Sequence, residues 1–313
     1  MPRNLFNLQL EPSLPLTGTL TYIDGDDQGG VHYGLWGDGN FVYLAVDSYG
    51  LRSYSVDGVG ALTYIDTDDQ GNSYRSVWGD GTFIYTACNN GGLRSYSVNG
   101  SGILSFIDDD FQAEYYYGVW GDGTFIYVAC ADGVRSYSVD GAGVLTYIGL
   151  NNVVGGCQDV WGDGTYIYVA HYEIGIASYS VDGSGILTHI STNNTGQTGI
   201  NGYEKIWGDG TFIYAAVYQD GLMSYSVDGS GNLTRLDVDV QGAPDYYQGV
   251  WGDGDFIYCV CGYGIRSYSV DGSGNLTYID VDNQGGWYNK VWGDGTYIYV
   301  SNDSLGLQSY GIS

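Results

Sequence analysis

Lysine is nearly absent: the 313 residues contain only Lys205 and Lys290, within 9 basic side chains set against 36 acidic ones. A formal charge of -27 argues against nucleic acid as a partner, because phosphate binding needs clustered Lys and Arg. Anionic membrane surfaces are disfavoured on the same ground. No apolar run reaches the roughly 18 residues that a bilayer-spanning helix needs. Proline is scarce at 4 residues, and the 5 cysteines include no C-x-x-C pair, so neither a zinc knuckle nor a disulfide framework is implied. Small buried thiols are expected instead. Met1–Asn7 lacks the continuous apolar stretch of a secretory leader. Abundant Gly, Ser, Thr, Asn and Tyr with few lysines nevertheless suit an extracellular or surface setting better than the cytoplasm. Catalytic signatures are missing too: there is no G-x-S-x-G, no H-E-x-x-H and no phosphate-cradling loop. His32, His171 and His189 have no partner at a motif spacing. At 43% hydrophobic residues, the chain is not a disordered acidic tail.

What is abundant is glycine, tyrosine and repetition. The tetrapeptide W-G-D-G begins at Trp36, Trp78, Trp120, Trp161, Trp207, Trp251 and Trp292, 41 to 46 residues apart. Each interval holds four short aromatic and β-branched runs, punctuated by Gly or Asp-Gly. In the third repeat these are Tyr117–Trp120, Thr124–Ala129, Val134–Val139 and Val144–Ile148. Asp-Gly favours tight hairpins because both positions tolerate positive φ. Four strands in about 40 to 45 residues is the size of a propeller blade. The last repeat stops after its third strand, and the chain begins with an orphan fourth strand, Leu20–Asp24. That strand is expected to complete the last blade and close the ring. The sequence thus predicts an all-β fold: a single seven-bladed β-propeller of four-stranded antiparallel blades over 18–313, preceded by an N-terminal arm, 1–17.

The run Val119-Trp120-Gly121-Asp122-Gly123-Thr124-Phe125-Ile126-Tyr127-Val128-Ala129, followed by Gly-Leu-Arg-Ser-Tyr-Ser-Val as at 92–98, resembles the LVIVD repeat. The stretch Ser267–Thr277 is similar to repeats of lactonase-type propellers. Both resemblances cover nearly the whole chain and imply the propeller architecture. The second adds hydrolysis at the central channel as an expectation, although no matching catalytic set can be placed on these residues. Propellers host many functions, so activity must come from the site.

The repeats allow the chain to be compared with itself. The W-G-D-G and V-D-G-x-G turns hardly change between blades and read as framework. The connections after the second and fourth strands differ in every blade and share the opposite face. Twenty tyrosines occupy framework positions; the other thirteen, among them Tyr74, Tyr116, Tyr203, Tyr247 and Tyr288, fall in those connections or at the start of the first strand. Rigid amphipathic rings suit recognition, so Tyr33, Tyr117, Tyr172, Tyr218 and Tyr263 are candidate ligand contacts. Just before the tryptophans stand Arg75, Asp159, Glu204, Lys205 and Lys290, expected at the channel mouth, where they form either an ion-pair ring or a polar ligand site. D-x-D-x-Q-G loops place Asp24 and Asp26, Asp66 and Asp68, Asp237 and Asp239, and Asp280 and Asp282 at calcium-ligand spacing. Gln replaces the third acid and no twelfth-position Glu follows, so a solvated acidic turn competes with a calcium site, and no cofactor is required.

Three functions are compatible with this reading. The first is a non-enzymatic scaffold binding a glycan or a protein through the varied, tyrosine-rich face. The second is a structural subunit of a filament or virion-type surface assembly, homo-oligomeric through residues 1–17. The third is a lactonase-like hydrolase at the channel mouth.

Overall fold

The computed structural model describes residues 16–112, 114–152, 155–194, 202–242 and 246–313. Most of the arm, residues 1–15, lies outside them. The described residues form 28 strands in seven four-stranded antiparallel sheets. The first blade runs outward through His32–Gly37, Phe41–Val46, Gly50–Val56 and Leu62–Asp68. The next five repeat this order, and the seventh takes its outermost strand from the N-terminus. Leu20–Asp26 pairs antiparallel with Gly306–Ile312, Leu20 facing Ile312 and Asp26 facing Leu307. Thr17 joins the seam, its amide and its hydroxyl both donating to the Ser313 carbonyl, at 2.8 and 2.7 Å.

Each blade is held to the next by repeated devices. The W-G-D-G tryptophans form a ring around the channel, with neighbouring indoles such as Trp36 and Trp78 at 6.4 Å and Trp36 and Trp292 at 6.5 Å. Every one stacks on a tyrosine of its own second strand, as Trp78 does on Tyr85 at 6.0 Å. That tyrosine donates to the turn aspartate, Tyr85 Oη to Asp80 Oδ2 at 2.7 Å, while Asp80 Oδ1 accepts the amides of Thr82 and Phe83. The framework reading of these turns is therefore correct.

In the D-x-D-x-Q-G loops both aspartates have hydrogen-bond partners within the protein. The first aspartate of each accepts an amide from the outermost strand of the following blade: Asp24 from Leu62, Asp66 from Leu104, Asp237 from Leu276 and Asp280 from Leu20. The second takes the Gln side-chain amide of its own loop, as Asp26 from Gln28, Asp68 from Gln70, Asp239 from Gln241 and Asp282 from Gln284. Among the described residues no group of three or more His, Cys, Asp or Glu side chains is placed to hold a metal ion. The same spacing forms an inter-blade clasp followed by an Asx-type turn.

The tyrosine partition also needs correction. Tyr74, Tyr116, Tyr203, Tyr247 and Tyr288 are fully buried. They share one repeat position with His32 and Cys157, four residues before the tryptophan, and belong to the framework. All five cysteines are buried, and burial pushes the Cys88 thiol up to about 11, so it stays protonated and packs as a small apolar group.

Candidate functional site

A β-bulge interrupts the first strand of every blade at one position. His32 faces Val46 and Gly34 faces Ala45, which leaves Tyr33 as the extra residue. The same slip singles out Arg75, Tyr117, Gln158, Glu204, Gln248 and Asn289. Bulges re-aim a side chain, and here all seven line the channel mouth on the varied face, together with Lys205, around a space of about 90 Å³. Arg75 lies between two of them, its guanidinium 3.9 Å from the Tyr33 ring centroid and 6.0 Å from that of Tyr117.

One residue deeper lies a neck. Its wall is small in four blades (Gly34, Ser76, Gly118 and, between the two lysines, Gly249) and charged in three (Asp159, Lys205, Lys290). Asp159 Oδ1 is 3.6 Å from Lys205 Nζ, and Oδ2 is 3.7 Å from Lys290 Nζ. Lys205 also reaches the Gln158 carbonyl at 3.4 Å, and Asp159 Oδ2 accepts the Ile206 amide at 3.2 Å. Burial depresses the Lys290 pKa, Asp159 opposes that shift and Lys205 adds to it. Below the neck a cavity of about 140 Å³ continues between Ser76, Asp159, Lys290 and the aliphatic and tryptophan rings. The structure thus gathers Tyr33, Arg75, Tyr117, Asp159, Glu204, Lys205 and Lys290 at one place, in two tiers.

Burial raises the Glu204 pKa, against the pull of Lys205 and Arg75 and with some help from Asp159. The sign of the consequence is definite. Below the ordinary glutamate range the group is neutral in both folded and unfolded chains. As pH rises through the folded value, the buried site is forced to hold a charge and stability falls. Glu204→Gln is therefore expected to melt higher than the parent at pH 7, with the difference vanishing at about pH 3.5, below the ordinary glutamate range; a scan of Tm against pH checks this, and a lower Tm at pH 7 would contradict it.

Beside the mouth lies an aromatic shelf. Tyr218 stacks on Tyr246 at 4.4 Å, and Tyr246 meets Trp287 at 5.3 Å. The shelf borders the mouth: Tyr246 and Trp287 stand two residues before Gln248 and Asn289, and Tyr218 lies within electrostatic reach of Glu204. Tyr172 is 39% exposed and Tyr263 is 56% exposed. The loop carrying Tyr263 sets Gly262 close against Trp287 and Tyr246. Trp287, the one tryptophan outside W-G-D-G, escapes sequence reasoning because it occurs once. Its signal is the repeat position five before the tryptophan, which reads Val31, Ser73, Tyr115, Gly156, Gly202, Tyr246 and Trp287. Asp303 was likewise not foreseen; it accepts from Asn289 Nδ2 at 2.6 Å.

The histidines stand apart from the mouth. His32 and His171 are fully buried, with Nδ1 against the carbonyls of Asn302 (2.9 Å) and Gly155 (2.8 Å). His189 lies on the outermost strand Leu187–Asn193, bonded to Thr192.

No family model matches the sequence, and no curated protein matches it; the finer LVIVD and lactonase-type resemblance therefore gains no support. Solved structures place the chain among the seven-bladed β-propellers. A catalytically inactive histidine-to-alanine variant of virginiamycin B lyase from Staphylococcus aureus, with quinupristin, superposes with a TM-score of 0.71 at 14% identity, over 94% of this chain and 99% of that one. A protein from Lactobacillus plantarum gives 0.69 at 19% identity, over 82% and 85%. The Cps50 (Swd1) β-propeller domain of Myceliophteria thermophila gives 0.71 at 9% identity, over 91% and 98%. At such identities the likeness is one of fold.

Proposed function

We propose that this propeller is a recognition module that binds a glycan on its varied face. The observation that carries the reading is the shelf of Tyr218, Tyr246 and Trp287 set directly beside a polar mouth. The C–H face of a pyranose is apolar and stacks on such rings, while its hydroxyls need convergent donors and acceptors. Gln158, Glu204, Gln248 and Asn289 supply them. The uniform face offers no comparable variety, since its aspartates are consumed by turn amides and tyrosine hydroxyls.

Binding to a panel of immobilised oligosaccharides tests the proposal. Trp287→Ala or Tyr246→Ala is expected to weaken the best ligand at least tenfold, about 1.4 kcal/mol, without lowering Tm appreciably. Retention of no glycan, or variants that bind like the parent, would refute it.

Two other readings draw less support. The lyase neighbours share the fold, but none of the three histidines here faces the mouth, and among the described residues lining the mouth no carboxylate is hydrogen-bonded to a hydroxyl or thiol nucleophile. The assembly reading depends on residues 1–17, of which Thr17 is engaged in the closure seam. Light-scattering masses of the full chain and of 16–313 address it directly.

A further inference from the structure

Among the described residues, the accessible positive charge on the varied face converges on one point. Arg52, Arg94, Arg135 and Arg266 are buried. They donate to loop carbonyls, those of Gln28 (3.1 Å), Gln70 (3.1 Å), Gln112 (3.2 Å) and Gln241 (2.6 Å). Arg235 lies on the outermost strand Leu233–Asp239 of the fifth blade. Only Arg75, Lys205 and Lys290 remain, and all three line the mouth or the neck.

In the neck two ammonium groups share one carboxylate. Asp159, 4% exposed, holds them at 3.6 and 3.7 Å, beyond the roughly 2.7–2.9 Å of a direct charge-assisted bond. Each ammonium has three N–H donors, so donor capacity exceeds what Asp159 and the Gln158 carbonyl absorb. Of the other charged groups nearby, Glu204 and Asp303 both face Arg75 in the mouth, one tier out from the neck; within the neck itself the two lysines outnumber Asp159. The neck is a net cationic point inside a protein of charge -27.

The shelf lies at the rim of the mouth, and the two ammonium groups lie one residue deeper, in the neck. A carboxylate is the part of a sugar whose charge and oxygens match them. We infer that the neck is an anion subsite, taking the carboxylate of an acidic sugar whose ring lies on Tyr218, Tyr246 and Trp287. The inference rests on the glycan reading above and narrows it to uronic- or sialic-acid-bearing ligands. An incoming carboxylate would give each lysine an oxygen at direct bonding distance in a partly water-excluded site.

The test uses the full chain and oligosaccharides bearing uronic or sialic acid, each paired with its neutral methyl ester, plus an acetylated tri-aspartate peptide, all titrated calorimetrically. Acid forms are expected to bind at least tenfold more tightly than their esters. Lys290→Met and Lys205→Met should abolish that preference, and Glu204→Gln should strengthen binding of the acids alone. Should a single lysine variant fold poorly, Lys290→Met with Asp159→Asn removes both charges of a pair and must also lose the preference. Equal binding of acid and ester would overturn the subsite; if Trp287→Ala still weakened both, glycan recognition would stand. Failure of every sugar to bind would sink both. A tri-aspartate peptide bound as tightly as the best sugar, in a Lys290-dependent way, would overturn the acidic-sugar assignment in favour of an acidic peptide.

Discussion

A chain that begins at residue 28 is expected to lose the ring as a whole, not one strand of it. The deleted segment contains Leu20–Asp26, the outermost strand of the seventh blade. Its removal exposes Gly306–Ile312 as an unpaired edge. It takes away Leu20 from the core cluster around Tyr288 and Tyr310. It also breaks clasps on both sides of the seam. Leu20 N–H donates to Asp280, and the Ser267 hydroxyl donates to the Gly18 carbonyl, both in the sixth blade; Asp24 accepts from Leu62 of the first. The loss should be on the order of 5 kcal/mol or more, comparable to the whole stability of many domains. Circular dichroism should show a broad, depressed transition, and light scattering should show edge-to-edge association. A synthetic peptide of residues 16–27 should restore the melt in trans by strand addition. A truncated chain that melts like the parent without peptide would disprove closure by this strand.

The second large effect is expected from one glycine substitution, with another as its control. Gly92 opens a third strand at φ +76, and a Cβ there would overlap the Asp110 carbonyl of the neighbouring outermost strand. Gly50, Gly133, Gly175, Gly221, Gly264 and Gly306 repeat the arrangement in the other six blades. Gly81, in a W-G-D-G turn, has a similar φ of +86 but open space around it. Both alanine variants bear a positive-φ penalty of about 1–2 kcal/mol, and Gly92, at ψ -157, sits besides in a region that essentially only glycine adopts. Only Gly92→Ala must also push two paired strands apart, for a total of about 3 kcal/mol or more. Urea unfolding of the two proteins gives the comparison, and equal losses would show that the strands yield without cost.

The ring, its blade count and its closure were legible because W-G-D-G recurs at a nearly constant interval and because one strand is missing at one end and surplus at the other. Both are properties of the chain read along its length. What was not legible depends on contacts between blades. Asp24 or Asp66 looks like a calcium ligand in its own loop; its partner is an amide some 38 residues away. Tyr74, Tyr116, Tyr203, Tyr247 and Tyr288 look variable because His32 and Cys157 replace two of them, yet all seven fill the same buried place. The charged mouth was found because lysine is so rare that two at one repeat position stand out. The shelf was missed because Tyr218, Tyr246 and Trp287 come from different loops in different repeats. Only the third dimension stacks them.

The seven bulges carry an implication for how such a protein changes. Tyr33, Arg75, Tyr117, Gln158, Glu204, Gln248 and Asn289 each sit where the ladder has an unpaired extra residue, so the framework places little demand on what they are. Seven codons spell the rim, and rewriting one leaves the other six and the hydrogen-bonded frame intact. The molecule therefore behaves as a fixed dial with an editable alphabet. A library randomised at those seven positions should yield mostly folded proteins with altered tastes, whereas the same diversity one residue earlier, at His32, Tyr74 and Tyr116, should yield mostly unfolded ones.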